Sequence, residues 1–90
     1  MSKRLSEFDR KTATVTQERG ADYGPPAADF KRADRLIAVV NECPDPAARQ
    51  ALRMIAVKMA RLIHNPRHLD SAIDIAGYAR CLVEVTDAGE

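Results

Sequence analysis

The sequence predicts an all-α fold: one four-helix, bundle-like domain whose last two helices form an antiparallel hairpin. Apolar residues recur at three- and four-residue spacing in four stretches, and glycine or proline breaks separate them. Ninety residues, 46% hydrophobic and 30% charged, give room for one core over residues 1–90. Phe8, Tyr23, Phe30 and Tyr78 are the aromatic residues, so burial must come from aliphatic side chains and alanine.

Leu5, Phe8, Thr12 and Val15 mark a first helix over residues 3–19 that stops at Gly20. The run Thr12 to Thr16 is rich in β-branched residues, which lose rotamer freedom in a helix, so packing has to hold it. Residues 20–26, with Gly24 before Pro25 and Pro26, are the clearest loop.

A second helix is expected over residues 26–41, with proline in its first turn and Phe30, Ala33, Leu36, Ile37 and Val40 in one stripe. Asp45 is placed to cap a third helix over 46–65, with Pro46 at its first position. Its expected core face is Leu52, Ile55, Ala56, Met59, Leu62 and Ile63. After the turn Asn65-Pro66-Arg67-His68, a fourth helix over 69–87 is expected to point Ala72, Ile75, Ala76, Ala79, Leu82 and Val83 inward. The short connection makes the last two helices antiparallel neighbours.

The formal net charge of +1 supplies no general attraction to nucleic acid or anionic membrane. Its distribution is uneven: residues 46–68 hold Arg49, Arg53, Lys58, Arg61 and Arg67 with no acid, whereas 69–90 hold five acids against Arg80. Direct DNA binding is disfavoured, because the basic helix commits one face to the core and the acidic helix lies beside it. No apolar run is long enough to span a bilayer, and the opening Met-Ser-Lys-Arg is not followed by a signal-peptide core. Two cysteines do not make a secreted disulfide framework, so a cytoplasmic protein with reduced thiols is expected.

Asp70, Asp74 and Cys81 share a stripe on the fourth helix, with Tyr78 between it and the core. Antiparallel packing brings Lys58 or Arg61 towards Asp74, either as a structural ion pair or as part of a polar pocket completed by the Tyr78 hydroxyl. Asp29 falls on the apolar side of its helix. Either the macrodipole of the first turn stabilises its carboxylate there, or it points into the same interior as Asp74. His64, His68, Cys43 and Cys81 lack the close spacing of zinc ligands, so no metal site is assigned; exposed histidines and core thiols account for them. Ser6, Ser71 and the threonines have no nucleophile-elbow or phosphate-loop context.

Several separated blocks occur in order: residues 19–26 (Arg-Gly-Ala-Asp-Tyr-Gly-Pro-Pro), Asp29-Phe30, residues 58–62 (Lys-Met-Ala-Arg-Leu), Asn65-Pro66, and residues 70–78 (Asp-Ser-Ala-Ile-Asp-Ile-Ala-Gly-Tyr). Together they resemble a domain family of unassigned function frequent in phage and prophage genomes, over roughly residues 15–85. That family is similar in outline to the all-α nucleotide pyrophosphatases of the MazG and dimeric dUTPase type. In those enzymes glutamates and aspartates on two helices gather magnesium. Here Lys58 and Arg61 stand at the matching positions of one helix, with Asp70 and Asp74 on the next, and a cationic pair repels magnesium.

The resemblance therefore implies a nucleotide-binding relative that needs magnesium only if hydrolysis is retained. Arg19, Lys58 and Arg61 would face phosphates, Tyr23 or Tyr78 would stack on a base, and Asp29, Asp70 and Asp74 would complete the ligand set. The alternative is a non-enzymatic counter-defence protein, of the anti-CRISPR kind, that engages a host defence complex through Arg49, Arg53 and Arg67. Small size and few aromatics also lead us to expect self-association, as a homodimer.

Overall fold

A computed structural model describes Glu7 and residues 24–87, and three helices make up its architecture. These are α1 (Pro26–Val40), α2 (Pro46–His64) and α3 (Leu69–Asp87). No strand occurs among the described residues. The all-α class is as expected; the helix expected over residues 3–19 lies outside the described residues.

Proline and short polar side chains set the helix bounds. Pro26 opens α1, where a missing N–H costs nothing, and Gly24, two residues before it, adopts φ +80°. Asp45 caps α2 as its sequence position suggests: its Oδ1 accepts from the backbone N–H of Ala47 at 2.9 Å and of Ala48 at 3.2 Å. Between α2 and α3, Asn65 Oδ1 accepts from the Arg67 N–H at 3.2 Å and its carbonyl accepts from the His68 N–H at 3.1 Å. The chain reverses within four residues.

α2 is the central element: it packs against α1 on one flank and α3 on the other, and no Cα atom of α1 comes within 8 Å of one in α3. Arg53, Ala56 and Ala60 lie on the flank nearest α1, where the Arg53 guanidinium reaches Asn41 Oδ1 at 2.9 Å. Ala51, Lys58 and Leu62 lie on the α3 flank, at about 100° of helix rotation per residue. Among the described residues, the buried apolar ones are all alanines: Ala33, Ala48, Ala51, Ala56 and Ala60. Backbones approach closely here, so contact comes from main chain and methyl groups more than from large interdigitating side chains.

This core differs from the one the apolar pattern suggests. Leu52, Ile55, Leu62, Ile75 and Leu82 are half-buried, but Phe30, Met59, Ile63, Ala72, Ala76, Ala79 and Val83 are exposed. The inward face of α3 is made by Ser71, Asp74, Ile75, Tyr78 and Leu82. That is rotated by roughly a quarter turn from the expected one. Cys81, read as a core thiol, is exposed, while Cys43 is half-buried, and both are free.

Burying Ser71 is inexpensive because its polar groups are met locally. Its hydroxyl lies 2.7 Å from His68 Nδ1 and its backbone N–H donates to the same nitrogen at 3.3 Å. His68 thus caps α3 with its ring, a role for which Ser, Thr, Asn or Asp is the usual choice. A serine 1% exposed can then sit against α2 without an orphaned group.

Candidate functional site

The α2–α3 hairpin builds the principal candidate. Its register pairs Lys58 with Asp74: the ammonium Nζ lies 3.0 Å from Asp74 Oδ2, with the lysine side chain 14% and the aspartate side chain 36% exposed. Their meeting follows from antiparallel packing, since each lies about three turns from its end of the hairpin's long arms. Both ionised forms suit the geometry: a charge-assisted contact offsets the partial loss of hydration.

One helical turn along from that pair, in the direction of the α2 N-terminus, the two helices part into a groove of about 350 Å³. Ala51 and Met54 of α2 and Tyr78, Cys81 and Val85 of α3 line it, with Ala47 and Gln50 at the far end. Met54 precedes Lys58 by four residues, and Tyr78 follows Asp74 by four. The ion pair therefore stands one helical turn beyond the groove on both helices. Arg61 and Asp70 continue the charged end by a further turn on their respective helices, Arg61 half-buried and Asp70 exposed. An apolar slot with charged side chains one turn away is a candidate small-molecule site.

Five of the expected ligand residues, Lys58, Arg61, Asp70, Asp74 and Tyr78, thus lie along one side of the hairpin. Asp29 does not join them. It belongs to α1, on the opposite flank of α2, where it is 5% exposed in the first helical turn and no hydrogen-bond donor reaches its Oδ1. The macrodipole of α1 is the stabilising influence that its position offers. Arg19 and Tyr23 lie outside the described residues.

Arg49, Arg53 and Arg67 are not gathered into one surface. Arg49 Nη1 donates to the Cys43 carbonyl at 3.3 Å and Arg53 holds Asn41, so both tie the α1–α2 turn to α2. Arg67 is exposed in the turn at the other end of the 19-residue helix α2. That helix is about 28 Å long.

A feature the sequence reading passed over is the outer side of α1. Ala28, Lys31, Arg32, Asp34 and Arg35 line a shallow depression there, and Arg32 Nη1 is buried without a hydrogen-bond partner. The signal in the sequence is three cations within five residues, Lys31, Arg32 and Arg35, on the helix whose other side carries the apolar stripe. Among the described residues, no three His, Cys, Asp or Glu side chains come together as metal ligands, and no helix is long and apolar enough to cross a membrane.

Comparison with curated proteins and with solved structures found no match to this chain. One family model does match, across residues 8–86 and so across all three helices. The chain belongs to the family described as Domain of unknown function (DUF6378).

Proposed function

We propose that the domain binds a nucleotide along the α2–α3 hairpin, with the base in the apolar groove and the phosphates at its charged end. The observation that carries this reading is the nearness of the two features: the Lys58–Asp74 pair stands one helical turn beyond the groove residues Met54 and Tyr78. The Tyr78 ring offers a face for stacking, Lys58 and Arg61 supply cations for phosphate, and Asp74 retains capacity to accept from a ribose hydroxyl. The resemblance to all-α nucleotide pyrophosphatases, and with it a phage origin and a place in the host cytoplasm, belongs to the same reading.

Magnesium does not suit this end of the hairpin. Lys58 already neutralises Asp74, and the charge of a lysine and an arginine beside the acids opposes a divalent cation. The function proposed is binding rather than hydrolysis. The counter-defence alternative has less support, because Arg49 and Arg53 are engaged within the chain and Arg67 lies far from both.

The test is a thermal-shift screen with nucleoside mono-, di- and triphosphates, with and without magnesium. A ligand that binds only the native state raises its melting temperature. The expected outcome is a rise with at least one nucleotide, unchanged by magnesium and lost in Tyr78→Ala. No shift with any nucleotide would remove the reading, and capture of a defence complex by the same protein would then favour the alternative.

A further inference from the structure

Among the described residues, several arginines are engaged within the chain. Arg49 donates to the Cys43 carbonyl, Arg53 to Asn41 and Arg80 to Glu84. On the outer side of α1 the pattern changes: Lys31, Arg32 and Arg35 make no ion pair with any carboxylate of the described residues. Arg32 stands out among the three. Its Nη1 is buried and has no hydrogen-bond partner, although the residue as a whole is only half-buried. A buried donor without an acceptor is unfavourable, and one that carries charge is more so.

Helix geometry gathers these cations. Ala28, Lys31, Arg32 and Arg35 follow one another at three- and four-residue spacing along one face of α1, turned away from Asp29 and Ala33 on its buried side. With the small Ala28 side chain among them they line an open depression of about 450 Å³, which Asp34 also borders. Three cations against that one carboxylate leave a surplus of two positive charges.

We propose that this depression on α1 binds a phosphate group, free or carried on a small molecule, with Arg32 as the anchor and Lys31 and Arg35 beside it. The guanidinium charge is delocalised over its three nitrogens, so an anion held by the open part of the group also stabilises the enclosed Nη1. A dianionic phosphate matches the surplus of two charges, where a carboxylate would leave one uncompensated. Its oxygens can accept from the guanidinium fork and the Lys31 ammonium together. The site stands apart from the α2–α3 groove, since no Cα atom of α1 comes within 8 Å of one in α3. It is therefore independent of the nucleotide reading.

Nitrogen–proton correlation NMR of the full chain tests this, with inorganic phosphate and glycerol phosphate titrated separately at an ionic strength held constant with sodium chloride. At least one of them should shift the amides of residues 28–35 saturably, and the one that saturates at the lower concentration names the free ion or the ester as the source. Acetate should not reproduce the shifts; an equal response to it would overturn the assignment to a dianion. No saturable shift with either phosphate, or shifts confined to α2 and α3, would overturn the site. Arg32→Met should raise the half-saturating concentration tenfold or more. Because that change removes an unpartnered charge, the ligand-free variant should melt no lower than the wild type. A lower melting temperature would mean that Arg32 serves the fold, and would overturn the proposal. Should Arg32→Met fail to fold at all, Lys31→Ala combined with Arg35→Ala, both at exposed positions, carries the same test. Tenfold weaker phosphate binding is expected there, and unchanged binding overturns the site.

Discussion

Lys58 of α2 and Asp74 of α3 are held 3.0 Å apart across the hairpin, the lysine nearly out of solvent and the aspartate partly in it. The pair marks which residues of the two helices lie opposite one another, with the groove one turn away in the same register. Its stability contribution should fall between the limits for exposed and buried pairs.

Removing one partner of an exposed pair costs under about 1 kcal/mol, and of a buried pair about 3–5 kcal/mol. We expect Asp74→Asn to cost about 1–3 kcal/mol in a denaturant titration, and Lys58→Met in the Asp74→Asn background to recover part of it. A double-mutant cycle isolates the pairwise term. Strictly additive effects would mean that the two charges do not meet in solution.

The two side-chain caps should differ in how they tolerate replacement. Asp45→Ala is expected to cost about 0.5–2 kcal/mol, and Asp45→Asn much less, because an amide oxygen still accepts from the Ala47 and Ala48 N–H groups. At His68 the cap is a ring nitrogen that also meets the Ser71 hydroxyl. His68→Asn should keep the bond to the helix N–H but lose the one to the hydroxyl of Ser71, a residue only 1% exposed. Equal stability of His68→Asn and wild type would show that the hydroxyl contact contributes nothing.

Helix existence and bounds were legible in the sequence because punctuation is local. Pro26, Asp45-Pro46 and Asn65-Pro66 act within one or two residues of where they stand, and the helices begin or end there. Which way each helix faces was less legible. On α3 the alanines count as apolar, yet Ala72, Ala76 and Ala79 bring so little area that they do not decide the rotation, while Ser71, Asp74 and Tyr78 turn inward with their polar groups met by His68 and Lys58. Of the candidate site, the Lys58–Asp74 meeting could be read from wheels and an antiparallel turn. The separation of Asp29 from it could not, because nothing local says that α1 lies on the far flank of α2.

An alanine core makes a prediction opposite to that of a leucine core: enlargement should hurt more than truncation. Ala60 is 0% exposed on the α1 flank of α2. Ala60→Leu must push α1 away or force strained rotamers, at a cost of about 1–3 kcal/mol or more, whereas Ala60→Gly should cost about 1 kcal/mol, mainly through helix propensity. If Ala60→Leu were as stable as the wild type in a thermal melt, α1 would not approach α2 as closely as described.

Gly24 combines two constraints that a second substitution can separate. Its backbone lies at φ +80°, where a side chain is strained, and a Cβ there would come 2.9 Å from His64 Cε1 and 3.0 Å from Nδ1 at the end of α2. Backbone strain alone costs about 1 kcal/mol or more for alanine in place of glycine at positive φ. The imidazole clash adds to it unless the ring turns aside, and His64 is exposed, so the ring has somewhere to go. Gly24→Ala should therefore lower stability by about 1–2 kcal/mol. In the His64→Ala background the same change should cost less, but not nothing, because removing the ring leaves the dihedral angle as it was. If the cost vanished entirely in that background, the positive φ would not be a constraint. If it were unchanged, the His64 ring would not pack on the glycine, and the loop would not hold α1 against the end of α2 in the way described. Urea titration of the four proteins of this cycle separates these cases, since the two contributions are read from different pairs.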